Sequence, residues 1–298
     1  MNKGYLSAFA AYFWWGLSPI YWKIISSVPA LEVLGLRVFW AIPFIMLVFI
    51  FKKNLSFFIE LLKSPFKYRI YFVSAMLLMI NWFVWIWSMN NGFIVDASLG
   101  YFINPLLNVV IGVIFLHERL RRVQWISLLL GLVGVLYLAF NYGKFPWIAL
   151  TLATCFALYG YIRKTAALGS FHGLSVEVLY MIVPASLLLF FLNQSGTFSL
   201  PEQSIEMHFW LSLTGIITVV PLLTFAYGAR KIPYSTLGFI QYIAPTMQFL
   251  LGVFIYNEVF NVERFTGFSF IWLALIIYTA ENIYFMNKKR ADRKPATL

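Results

Sequence analysis

The chain has 298 residues, of which 61% are hydrophobic, 20% aromatic and only 11% charged. That leaves too little polar surface for a water-soluble protein of this size, which excludes an ordinary soluble enzyme and makes the bilayer the solvent. The formal charge of +11 could signal nucleic acid, anionic lipid or membrane topology, and the placement of the basic residues decides between them.

The N-terminus, Met1-Asn2-Lys3, runs into an apolar stretch too long for a signal peptide and without a small-residue cleavage site, so it reads as a retained span. A helix needs roughly 20 mostly apolar residues to cross the hydrocarbon. Ten windows meet this requirement, and they leave no room for a soluble domain.

Span one, near 4–26, presents Tyr12, Gly16, Pro19 and Lys23 on one face, with Trp15, Ser18 and Trp22 adjoining. Span two, 31–51, carries Arg37 about two turns from its start. Span three, 69–90, places Asn81, Trp85 and Ser88 at i, i+4 and i+7, with Trp82 beside them. Span four, 94–116, puts Tyr101, Pro105, Asn108 and Gly112 on one face, and span five, 122–142, is almost wholly apolar. Spans six to eight fall near 145–165, 174–192 and 207–229. Span nine, 233–257, repeats the face of span four as Gln241, Pro245, Gln248 and Gly252, and span ten covers 263–286.

With the N-terminus placed in the cytoplasm, 18 of the 22 basic residues fall in the inside segments. The positive-inside rule then puts both termini in the cytoplasm, so the charge is mostly a topology signal and nucleic acid is not implied. Lys144 and Arg264 fall outside, which leaves Lys23 and Arg37 within spans.

An internal duplication is visible. Pro105, Asn108, Gly112 and Glu118 recur 140 positions later as Pro245, Gln248, Gly252 and Glu258, and Ser98-Leu99-Gly100-Tyr101 resembles Thr236-Leu237-Gly238-Phe239. Five spans per half is an odd number, so the second half crosses in the opposite sense. The expectation is an all-α integral membrane protein with ten transmembrane helices in two inverted five-helix repeats, 1–143 and 144–287, followed by a basic cytoplasmic tail, 288–298. Inverted repeats let a central site open to either side by rocking one half against the other.

Charge inside the hydrocarbon costs a few kcal/mol or more unless paired or wetted, which singles out Lys23 and Arg37. Lys23 either binds solute or snorkels to the outer interface, and Arg37 either recognises solute or makes a structural ion pair with Glu32 or Asp96. Trp14, Trp15 and Trp82 fall mid-span, where they pack the core or line a cavity. Pro105 and Pro245, each lacking an N–H, mark bends that serve as gates, or else their neighbouring amides and Gly112 and Gly252 serve as helix glue. Span one has no acidic residue, which argues against a proton-coupled exporter of cations and toward an anion or the carboxylate of a zwitterion.

No metal or cofactor is expected. Cys155 is the single cysteine, and His117, His172 and His208 stand at no metal-ligand spacing. No intramembrane Ser/His/Asp set or mid-depth carboxylate pair can be assembled, so an enzyme is not expected.

Several stretches carry a family resemblance: Ala11-Tyr12-Phe13-Trp14-Trp15-Gly16, Leu36-Arg37-Val38, Asn81-Trp82, the run from Ala97 to Leu106, Glu118-Arg119, Val220-Pro221-Leu222-Leu223 and the run from Ser235 to Thr246. The chain resembles the RarD-type permeases of the EamA branch of the drug/metabolite transporter superfamily, over nearly its whole length. The resemblance implies a multi-pass permease of the bacterial inner membrane with two EamA repeats. It also supports Arg37, Asn81, Trp82, Tyr101, Asn104 and Gln241 as positions of interest.

The expected function is a secondary transporter, an exporter of a small metabolite or drug, working by alternating access. Arg37 and Lys23 would attract an anionic group, and Asn81, Asn104 and Gln241, with Tyr101 and Tyr242 beside them, would orient the solute. Trp15, Trp82 and Trp85 would hold an apolar or aromatic part, and Pro105, Pro245, Gly112 and Gly252 would gate. The expected partners are a small-molecule solute and the lipid bilayer, with monomer and homodimer both open. The alternative is a non-transporting scaffold or sensor of the same fold.

Overall fold

A computed structural model describes residues 3–51, 56–57, 59–60, 68–91, 93–142, 145–255 and 262–291. Among these the chain is helical, with no strand. The principal helices are α1 (Lys3–Ile24), α2 (Ala30–Phe51), α3 (Arg69–Asn90), α4 (Ile94–Ile114), α5 (Arg122–Tyr142) and α6 (Trp147–Thr165). They continue as α7 (Ser170–Gln194), α8 (Ile205–Ser212), α9 (Thr214–Lys231), α10 (Tyr234–Gln241), α11 (Ile243–Phe254) and α12 (Val262–Ala291). The tail beyond Ala291 and Glu258 lie outside the described residues.

Among the described residues, eight segments are long and apolar enough to cross a membrane: α2, α3, α4, α5, α7, α8 with α9, α10 with α11, and α12. α1 and α6 have 22 and 19 residues, but Gly, Ser, Tyr and Trp dilute the first and Arg163, Lys164, Tyr and Thr the second. The outer surface suits lipid, since Phe51, Phe140 and Phe254 are each at least 75% exposed.

Two of the expected spans are interrupted. α8 passes into α9 at Leu213, and α10 ends at Gln241 before α11 resumes at Ile243. Pro245 has no N–H for the carbonyl of Gln241, so the helix resets one turn earlier, where Tyr242 N donates to Phe239 O at 3.3 Å. Pro105, at the equivalent place in α4, leaves that helix continuous from Ile94 to Ile114.

Helices approach closely where side chains are absent. A Cβ on Gly238 would lie 2.6 Å from the carbonyl oxygen of Pro105, and one on Gly228 would lie 2.9 Å from the backbone nitrogen of Ala8. Hence α10 lies directly on α4 and α9 on α1. The nine most extensive helix pairings are α5 with α12, α4 with α6, α1 with α9, α3 with α6, α4 with α10, α2 with α7, α2 with α9, α1 with α11 and α3 with α7.

Polar groups tie the helix ends together. Glu118 accepts from Tyr234 N at 2.5 Å, Ser235 N at 2.9 Å and Ser235 Oγ at 2.7 Å, capping α10 with a carboxylate from a distant loop. Lys164 Nζ donates to the carbonyls of Ala229 and Ile232 at the end of α9. Arg230 Nη1 donates in return to those of Arg163 and Ala166 at the end of α6. Arg163 and Glu177 are both fully buried and 3.5 Å apart, and Ser74 Oγ donates to Glu177 at 2.5 Å. Arg163, which the sequence reading counts among the inside basic residues at the end of span six, is therefore an interior residue.

Candidate functional site

A cavity of about 470 Å³ lies between α1–α4 on one side and α6 and α9–α11 on the other. Its size is that of a small-molecule site. At one end it reaches the α1–α2 connection, where Ser26 is exposed, and at the other it ends on the buried side chains of Tyr12, Asn104 and Gln241.

Arg37 reaches this cavity from α2. Its Nε donates to Thr218 Oγ1 on α9 at 3.1 Å, and its Cζ lies 3.8 Å from the Trp82 ring centre on α3 and 5.3 Å from that of Trp22 on α1. Aromatic faces attract a guanidinium through their quadrupole and shield it from lipid, which makes the charge tolerable at this depth. Among the described residues no carboxylate is in ion-pair contact with Arg37. Glu32, one of its two expected partners, instead accepts from Ser199 N at 2.8 Å and Ser199 Oγ at 3.0 Å. The Asp96 side chain lies outside the described residues.

A chain of amides forms the closed end. Gln241 Oε1 accepts from Tyr12 OH at 3.3 Å and from Asn108 Nδ2 at 2.8 Å. Asn104 Nδ2 donates to the Ala153 carbonyl at 2.5 Å, and Asn81 Nδ2 to that of Leu152 at 2.8 Å. These bonds fix side chains of α1, α3, α4 and α10 against one another and against α6. Pro19 leaves the Trp15 carbonyl without its helical donor, and Ser18 Oγ at 2.8 Å and Gln248 Nε2 at 3.1 Å take that place. The aromatic wall is interlocked, Trp15 meeting Tyr12 and Phe156 edge to face at 5.5 and 5.6 Å.

Most of the residues proposed for binding from sequence line this one space: Arg37, Asn81, Trp82, Trp85, Trp15, Tyr101, Asn104 and Gln241. Two do not. Lys23 is exposed and outside the lining, because it sits in the last turn at the end of α1. Tyr242 is 1% exposed and donates to the Phe102 carbonyl at 3.3 Å, since the interruption after Gln241 directs it toward α4.

Of the expected gating residues, Pro245 lines the cavity. Pro105 is buried against Gly238, and Gly252 is buried on α11. Gly112 makes room for Glu118, whose carboxylate would lie 2.8 Å from a Cβ there. Sequence reasoning did not single out Thr218, Phe156 or Leu222, which also line the cavity. They come from the second half, where a lone threonine or apolar residue in a span carries no distinguishing signal.

Residues 2–140 match the model of the EamA-like transporter family. The chain is similar to the protein RarD of Salmonella typhi, 42% identical over 288 residues that cover 97% of this chain and 98% of that protein. RarD of Escherichia coli strain K12 is 42% identical over 283 residues, 95% of this chain and 96% of that one. An uncharacterized transporter of Vibrio cholerae is 38% identical over 282 residues, 95% and 93% of the two chains. A chain of known crystal structure, 18% identical, matches with a TM-score of 0.69 over 94% of this chain and 98% of its own, a likeness of fold.

Proposed function

Because the chain belongs to the EamA-like transporter family, in its RarD branch, and is a multi-pass membrane transporter, we propose that it exports a small amphipathic solute by alternating access. In this reading ten spans form two inverted repeats, 1–143 and 144–287, with both termini in the cytoplasm of a bacterial inner membrane. The observation that carries the solute reading is Arg37, a cation without a carboxylate partner among the described residues, set in an aromatic and amide-lined cavity where the two halves meet.

The helix pairings support the repeat. Exchanging the first five spans with the last five carries α1–α9 onto α3–α6, α4–α6 onto α1–α11, and α2–α9 onto α3–α7. α5–α12, α2–α7 and α4–α10 map onto themselves. A set closed under that exchange is what two copies of one five-helix unit produce.

In the orientation set by the basic residues, the cavity reaches the outer side, and the Lys164, Arg230 and Glu118 caps lie on the cytoplasmic side. Arg37 would hold an anionic or zwitterionic head group, Asn81, Asn104 and Gln241 would orient it, and Trp15, Trp82 and Trp85 would hold its apolar body. Counterflow in proteoliposomes tests this. A carrier exchanges labelled solute across the bilayer, and a scaffold or sensor of the same fold does not. Arg37→Ala leaving uptake of every accepted solute unchanged refutes the charge-recognition part.

A further inference from the structure

The hydrogen bonding of Arg37 restricts what the cavity can accept more narrowly than its charge does. Nε is the one guanidinium donor with a protein acceptor among the described residues, Thr218 Oγ1 at 3.1 Å. The Arg37 Cζ lies over the Trp82 ring, 3.8 Å from the centre, and 5.3 Å from the centre of the Trp22 ring. The terminal nitrogens are not among the buried groups lacking a partner, so their N–H groups remain open to the cavity. Contacts from three helices thus hold the side chain at Cζ and Nε, and the outer edge is left as a planar two-nitrogen fork. That fork matches the two oxygens of a carboxylate.

The remainder of the lining sets the rest of the selection. Arg37 is the one charged side chain among the described lining residues, and none of them is acidic. Among the described lining residues, an ammonium on the same solute would share the cavity with the guanidinium and meet no carboxylate, and a dianionic phosphate would meet one cation where its charge calls for two. The other contacts on offer include the rings of Trp15, Trp85, Tyr101 and Phe156 and the carboxamides of Asn81, Asn104, Gln241 and Gln248.

We propose that the site selects monoanions, solutes with one carboxylate on a flat apolar body, over amino acids, amines and phosphates, and that Thr218 is the positioning residue that aims the fork. The proposal rests on the transporter reading and narrows its solute class.

Four probes of one shape isolate the charge: 3-phenylpropionate, its neutral amide 3-phenylpropanamide, phenylalanine and phenethylamine. Binding to the purified full chain is followed by thermal stabilisation at neutral pH. The expected result is stabilisation by 3-phenylpropionate, with an affinity about tenfold or more above that for phenylalanine and for the amide, and no effect of phenethylamine. Thr218→Val weakens the carboxylate and leaves the amide unchanged, and Thr218→Ser restores the difference. Arg37→Lys keeps an anion preference while losing affinity.

Equal or stronger binding of phenylalanine or the amide overturns the proposal, as does stabilisation by none of the four at millimolar concentration. So does a Thr218→Val variant that weakens all of the probes equally. The transporter reading fails separately, if the bound probe shows no counterflow in proteoliposomes.

Discussion

The guanidinium of Arg37 lies over the ring of Trp82 with 3.8 Å between Cζ and the ring centre, so the charge and the aromatic surface of the cavity form one unit contributed by α2 and α3. The energy of such a contact, about 0.5–2 kcal/mol depending on solvation, is enough to set where the guanidinium points. Trp82→Ala is expected to lower solute affinity about three- to thirtyfold, in line with that range. Trp82→Phe should retain most of it. Titration of purified variants with the wild-type solute measures both, and an unchanged affinity in Trp82→Ala would show that the ring only fills space.

Chain neighbours at the interruption of span nine should behave differently. Gln241→Leu removes the acceptor shared by Tyr12 and Asn108 at the closed end of the cavity and is expected to lower counterflow at least about tenfold. Tyr242→Phe removes one bond to the Phe102 carbonyl, at a cost of about 1 kcal/mol in stability and with transport nearly unchanged. Lys23→Gln, outside the lining, should likewise leave counterflow near the wild-type rate. A transport defect in Lys23→Gln with normal folding would return that residue to the solute path.

The buried pair of Arg163 and Glu177 makes a prediction about stability. Removing either partner strands the other charge, so Arg163→Met or Glu177→Leu is expected to destabilise the protein by about 3–5 kcal/mol. The double variant should recover at least half of that loss, because an apolar pair leaves no charge behind. Thermal unfolding of the three variants in one detergent decides it, and additive losses would mean that the two residues act separately.

Glu118 offers a local test. Glu118→Ala uncovers the backbone N–H groups of Tyr234 and Ser235 at the start of α10, a loss of about 1–2 kcal/mol. Glu118→Gln keeps an acceptor and should cost about half as much. Hydrogen exchange should rise first at Tyr234 and Ser235, and uniform acceleration over the whole chain would refute a local cap.

Much of this architecture was legible in the sequence, for identifiable reasons. Apolar windows located the helices to within a few residues, because hydrocarbon thickness sets their length. Eight residues that converge on one cavity were found as polar, charged or aromatic side chains inside apolar spans, where each costs energy unless it has a use. Interactions between distant positions were not legible. Arg163 counted only as an inside positive charge at the end of span six, because charge placement does not show that Glu177 on α7, held by Ser74 on α3, packs against it. Lys23 and Arg37 looked alike as intramembrane cations, but the first lies exposed in the last turn of α1 and the second lines the cavity from within α2. Thr218 gave no signal, since its role exists only opposite Arg37.

The reciprocal caps of Lys164 and Arg230 have a mechanical corollary. Each cation belongs to one helix and satisfies the carbonyls that end the other. Separating α6 from α9 at that end therefore breaks the bonds of two cations and four carbonyls in a single motion. All four bonds must break together for the helices to part there, so this end of α6 and α9 is expected to resist separation more than an uncapped junction would.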